Sequence, residues 1–159
     1  MATLPQLIEE DIQRLESELR ELLEKSDATT ALIIDKGGFL ICSQGDDRQF
    51  DLTTIAALAS GAYMANQTIA SLVHEPNFNT VYNQGEKFSM LVIGVDENCL
   101  LTIIFKAQVS VGAVKYFAAP AVKRIALQLQ IAQDRDPSAG LDLSELNLAD
   151  PSELFKRKT

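Results

Sequence analysis

The side chains that could do chemistry in this chain are few. His74 is the only histidine, and it stands just before Glu75-Pro76 at the expected end of a helix, where it reads as a cap or surface residue instead of a base or metal ligand. Cys42 and Cys99 each lie inside an apolar run, with no second Cys or His at metal-ligand spacing. They read as small buried hydrophobes, and neither a zinc site nor a disulfide framework is supported. Asp46-Asp47 and Asp96-Glu97 are paired carboxylates, but each pair is adjacent in a polar loop, as turn acids are; paired acid-base chemistry draws its groups from converging elements. Gly37-Gly38 is followed by an apolar strand pattern and not by a helix opening, so it marks a tight turn, not a phosphate cradle. No catalytic residue, metal site or cofactor site is predicted.

Composition narrows the class further. The chain has 159 residues, 47% hydrophobic and 23% charged, which suits one compact domain with extensions. The formal net charge of −8 is unevenly spread. Residues 1–27 hold eight acids and three bases, residues 28–133 eight and seven, and residues 134–159 six and four. A nearly neutral middle with acidic extensions offers no basic patch for a phosphate backbone, so nucleic acid is excluded as a partner. No apolar run approaches the length of a membrane span, and the amino terminus lacks a secretory pattern. The expectation is a cytoplasmic protein without membrane contact.

The elements are organised around Leu52 to His74, LTTIAALASGAYMANQTIASLVH, which contains no charged side chain. Asp51 is its N-cap candidate and Glu75-Pro76 closes it. Ile55, Ala59, Ala62, Ile69 and Val73 form the expected core stripe of a helix lying on a sheet. Ala57, Gly61, Met64, Ala65 and Thr68 make a second stripe of small or flexible residues, and Tyr63 and Ala70 leave little of the circumference polar. A helix apolar nearly all round is buried on more than one side. Its second cover is either another helix of the same domain or another protein molecule.

Upstream, residues 6–25 read as an amphipathic helix with Ile8, Ile12, Leu15, Leu19 and Leu22 on one seam, packed on the domain's own sheet or paired across a dimer. Ala31–Ile34 and Phe39–Cys42 form a hairpin of buried strands about Lys36-Gly37-Gly38, and Gln44–Gln49 is a polar loop. After the long helix, Phe78–Asn83 alternates as an edge strand would, and Phe88–Val95 and Cys99–Phe105 are two further strands. A closing helix runs from about Val111 to Gln133 with Lys115, Lys123 and Arg124 outward; Pro120 kinks it or opens its regular part. The prediction is an α+β fold in which three helices cover a five-stranded antiparallel sheet, in the order α-β-β-α-β-β-β-α.

The Ile34-Asp35-Lys36-Gly37-Gly38-Phe39 hairpin, the small-residue helix Leu52–Leu72, the Gln84-Gly85-Glu86 turn and the passage ending Gly112-Ala113-Val114-Lys115 together resemble the roadblock (dynein light chain) domain, nearest its bacterial MglB-type branch. The resemblance covers about residues 6–133 and implies a roadblock/profilin-like sandwich, with residues 134–159 as an extension. It implies a homodimer whose sheets join edge to edge and whose central helices lie side by side, offering that surface to a small Ras-like GTPase and activating it in cell polarity or motility. Carried over residue by residue, Ala57, Gly61, Met64, Ala65 and Thr68 line the dimer and GTPase surface. GTPase activation often uses an arginine delivered to the developing charge. Arg48, before the central helix, fits that role or is simply a solvated loop charge, and Arg124 lies on the closing helix. MglB-type proteins instead reposition the GTPase's own groups, which implies an allosteric activator without catalytic residues.

Two other readings stand beside this one: a scaffold that binds the GTPase without changing hydrolysis, and a ligand sensor with Phe39, Met90 and Phe105 around a pocket. In the extension, Asp134–Gly140 reads as a linker. Leu141, Leu143, Leu146, Leu148, Leu154 and Phe155 are too many apolar residues for an inert spacer. Asp150-Pro151-Ser152-Glu153 followed by Lys156-Arg157-Lys158 has the start and end signals of a short docking helix, the alternative being a disordered tail.

Overall fold

A computed structural model describes residues 4–135 of the chain. The tail with its docking-helix signals at 150–158 lies outside the described residues. The elements are α1 (Glu9–Ser26), β1 (Thr30–Asp35), β2 (Leu40–Gly45), α2 (Leu52–Leu72), β3 (Thr80–Asn83), β4 (Phe88–Gly94), β5 (Cys99–Lys106) and α3 (Val111–Asp134). They follow the expected order. The sheet runs β2-β1-β5-β4-β3 with every neighbouring pair antiparallel, so β2 and β3 are its edges.

Side-chain alternation divides the central strands between two cores. Ala31 and Ile33 of β1 and Leu101, Ile103 and Phe105 of β5 point to one face, where they meet Leu15, Leu19 and Leu22 of α1 and Val114, Ala118, Ala121, Ile125 and Leu129 of α3. Leu32, Ile34, Leu100 and Ile104 point to the other face and meet α2 alone, through Leu52, Ala56, Ala59 and Tyr63. The central strands read as unbroken apolar runs because both of their faces are covered. Two helices therefore cover one side and a single helix covers the other.

Several boundaries differ from those predicted. β2 starts at Leu40 and continues through Ser43, Gln44 and Gly45, which pair with Leu32, Ala31 and Thr30. An edge strand needs its backbone paired on one side only, so polar residues extend it where hydropathy suggests a loop. Phe39, expected in the strand, is exposed at the turn. The seam of α1 also shortens: Leu15, Leu19 and Leu22 are buried, but Ile8 is the N-cap.

The central helix ends at Leu72, two residues early, in a defined motif. His74 adopts φ 62°, its N–H donates to the Ser71 carbonyl at 3.3 Å, and the Glu75 N–H donates to the Ala70 carbonyl at 2.9 Å. This is the paired Schellman arrangement, in which the left-handed position is normally glycine. A histidine there carries the steric cost of a Cβ at positive φ. His74→Gly is expected to stabilise the fold by up to about 1 kcal/mol, read as a rise in the urea midpoint with unchanged slope; a lower midpoint would mean that the imidazole makes a compensating contact.

One cluster joins the two ends of the described chain. Asp11, fully buried, accepts from Nη1 and Nη2 of the Arg135 guanidinium at 2.7 and 2.9 Å, from Gln128 Nε2 at 2.7 Å, and from the Ile8 N–H at 2.9 Å. The last contact caps α1 from its third helical position. The Arg135 guanidinium is the main reason the Asp11 carboxyl is held at about 2, below its ordinary 3.8; burial opposes that shift, and the Ile8 and Gln128 hydrogen bonds add to it. Arg135, read from sequence as linker, is thus tied to the domain. Arg124 makes a second bond between the same two helices, to Glu18 at 2.6 Å and Glu21 at 3.2 Å.

Candidate functional site

Several of the residues available for chemistry are committed to structure. Burial pushes both thiols up to about 12, with neighbouring acids adding a little, so Cys42 and Cys99 stay protonated and shielded near neutral pH. Asp46 Oδ1 accepts from the Arg48 and Gln49 N–H groups, and Asp96 Oδ1 accepts from those of Asn98 and Cys99. Both acids are turn caps. Among the described residues no cluster of His, Cys, Asp and Glu could hold a metal, and no helix is long and apolar enough to cross a membrane. Arg48 is exposed on the loop before α2. Arg124 is engaged by α1 on the far side of the sheet.

The residues proposed around a ligand pocket do not converge. Phe105 belongs to the core under α1 and α3, Met90 packs against the α2 core, and Phe39 is exposed. Met90 does line a shallow hollow of about 310 Å³ near the start of α2, with Phe50, Ile55, Phe88 and Ile104. Its walls are almost wholly apolar.

What stands out is the outer face of α2. Ala57, Gly61, Met64, Ala65 and Thr68 are all on the side of the helix turned away from the sheet. Leu58 and Leu72 extend the same face at 68% and 75% exposure, and Ile69 joins them. No other described helix covers this face, because α1 and α3 both lie across the sheet. An uninterrupted surface of alanine, leucine, methionine and glycine without one charge is unusual on a folded domain, which makes this face the candidate site.

The stripe predicted as core is corrected by the same geometry. Of Ile55, Ala59, Ala62, Ile69 and Val73, only Ala59 is buried; Ile55 is half-buried, and Ala62, Ile69 and Val73 are exposed. The buried side consists of Leu52, Ala56, Ala59, Ser60, Tyr63 and Ala70. Periodicity alone cannot rank several apolar stripes on one helix, and the deciding contacts are tertiary. The Ser60 hydroxyl donates to the Lys36 carbonyl in the β1–β2 turn at 2.6 Å, and Gln67 Nε2 donates to the Phe78 carbonyl at 2.8 Å. Tyr63 lies over Gly94, where an added Cβ would come within 2.5 Å of the Tyr63 hydroxyl. Gly38, at φ 95°, brings the turn so close that an added Cβ would stand 3.2 Å from Ala57 Cα. These clamps fix the rotation of α2 and so select which stripe is presented.

Asp51 caps the start of the helix, accepting from the Thr54 N–H at 3.2 Å and the Thr54 hydroxyl at 2.6 Å. Those bonds, the hydroxyl first, hold its carboxyl below the usual range. The centre of the outer face is Gly61, around which a Cβ would meet nothing within 4 Å. Leu58 does not stand out in the sequence as a contact residue, and neither does Leu72. The length of the charge-free run is the signal that contains them.

The sequence matches the Roadblock/LC7 domain over residues 15–105. No curated protein matches significantly in sequence. Solved structures do. An MglB described with a tetrameric arrangement superimposes with TM-score 0.77 at 27% identity, covering 83% of this chain and 99% of that one. The gliding protein MglB of Thermus thermophilus gives 0.76 at 27% identity, with 82% and 99% covered, and Myxococcus xanthus MglB gives 0.76 at 25%, with 82% and 98% covered. Sequence match, strand order and helix placement coincide, and the chain belongs to the Roadblock/LC7 domain family.

Proposed function

We propose that this chain is a cytoplasmic, non-catalytic regulator whose roadblock domain, residues 6–133, forms a homodimer and binds a small Ras-like GTPase through its paired α2 helices. Ala57, Gly61, Met64, Ala65 and Thr68 lie at the centre of that contact, and hydrolysis is accelerated by repositioning groups of the GTPase itself, in cell polarity or motility. The observation that carries this reading is the charge-free outer face of α2, uncovered among the described residues. Likeness to MglB structures over more than four-fifths of the chain supports the choice of partner class. The edge strand β3 leaves one row of backbone groups unpaired, which suits a second copy joining there.

An allosteric route accords with the chemistry available. Arg124 is held by two carboxylates, and neither cysteine is a nucleophile at neutral pH. The test is single-turnover GTP hydrolysis by the Ras-like GTPase encoded nearest to this chain, with and without an excess of the protein, beside sedimentation to establish the dimer. Acceleration is expected, and Arg48→Ala should retain it. Loss of acceleration in Arg48→Ala would make that residue a finger and overturn the allosteric route; binding without acceleration would leave a scaffold.

A further inference from the structure

The outer face of α3 carries a second apolar stripe, on the opposite side of the sheet from that of α2. Tyr116, Leu127 and Ile131 are 74%, 61% and 47% exposed, and Pro120 and Lys123 fall on the same side of the helix at spacings of three and four. Beside them, Lys115, Ala119, Val122 and Lys123 of α3, with Thr80 and Ile93 of the sheet, line a hollow of about 350 Å³. Arg124 is satisfied by Glu18 and Glu21, but Lys115 and Lys123 enter no ion pair among the described residues. The face is mainly apolar, with one unneutralised positive charge within it, Lys123, and a second at its margin, Lys115.

We propose that residues 141–155 of this same chain fold back over the outer face of α3, setting leucines on Tyr116, Leu127 and Ile131 and acids beside Lys115 and Lys123. The starting point is fixed: α3 ends at Asp134, and Arg135, in extended conformation, is anchored to Asp11. Asp136-Pro137-Ser138-Ala139-Gly140 then supplies proline and glycine where the chain must reverse. The lengths match. Tyr116 to Ile131 spans about 22 Å along the helix, and residues 141–155 reach from about 21 Å if helical to about 45 Å if extended.

The chemistry matches as well. Leu141, Leu143, Leu146, Leu148, Leu154 and Phe155 supply the apolar side chains, and Asp142, Glu145, Asp150 and Glu153 are the only charged residues among 141–155, all of them acids. A peptide tethered by five residues is present at high effective concentration, so a modest apolar contact suffices to hold it. Docked there, the segment shields the α3 stripe from association with other molecules and leaves the α2 face free.

The chain contains no tryptophan and three tyrosines, so Phe155→Trp introduces a single tryptophan that can be excited selectively in the full-length protein. The expected result is blue-shifted emission with acrylamide quenching reduced several-fold relative to the same chain carrying Leu127→Asp, and independent of protein concentration. Lys123→Glu, also on the surface, should release the reporter, and high salt should weaken its protection. Circular dichroism controls for folding of each variant. Free quenching in the parent, or protection indifferent to both surface changes, would overturn the proposal. Protection that fades on dilution would assign the segment to a second copy, and protection seen only with a Ras-like GTPase would assign it to that partner; either overturns docking within the chain.

Discussion

A chain carrying Gly61→Arg is expected to fold normally and to lose together the proposed dimer and the proposed effect on GTP hydrolysis. Gly61 lies at the middle of the exposed face of α2, and nothing in the chain approaches the position of an added Cβ. Arginine also favours a helix interior over glycine by about 0.8 kcal/mol, so the isolated domain should be no less stable. The damage falls on association. A guanidinium placed in the proposed contact of Ala57, Met64, Ala65 and Thr68 must be desolvated without a partner, since the face offers no carboxylate. That penalty is several kcal/mol per ion, which corresponds to at least about a hundredfold loss of affinity. Sedimentation and single-turnover hydrolysis would measure both effects, with Ser17→Arg, exposed on α1 across the sheet, as the control expected to change neither. A Gly61→Arg protein that still dimerises and still activates would remove α2 from the mechanism.

Replacing Asp11 should produce the largest loss of stability outside the apolar cores. Asp11→Ala removes the acceptor of four hydrogen bonds, leaves Gln128 and the Arg135 guanidinium without their partner, and uncaps α1. Loss of charge-assisted bonds at a buried site costs about 2–3 kcal/mol. The pH dependence identifies the cause. Because the folded carboxyl sits at about 2, below its ordinary 3.8, its contribution is complete above that ordinary value and disappears as pH falls toward the folded one. The difference in urea midpoint between the parent chain and Asp11→Ala should therefore be constant near neutrality and shrink between about pH 4 and pH 2. A difference that stays constant over that window would show that packing, not charge, is what Asp11 supplies.

The two experiments bear on different links of the same design. Asp11 binds the start of α1 to the end of α3 and makes them one layer, while the clamps from Ser60, Gln67 and Tyr63 hold α2 alone on the opposite face. A lone helix on a sheet must leave its outer side open. When that side also lacks charge, a binding role follows more readily than a catalytic one.

Much of this was determined by local sequence. Period changes placed all eight elements in order, because alternation and helical spacing are short-range properties. The absence of a charge between Leu52 and His74 is equally local, and it leaves the helix without a charged side on whichever face is turned out. Tertiary structure decided which side of that helix faces out, since several apolar stripes competed and the choice fell to Ser60, Gln67 and the Gly94 approach, none of which hydropathy weights. It also decided the polar extension of β2, whose ladder needs only backbone groups, and the pairing of Asp11 with Arg135, residues 124 positions apart. Spacing reports which face a side chain shares with its neighbours, but only the packed chain brings distant charges together.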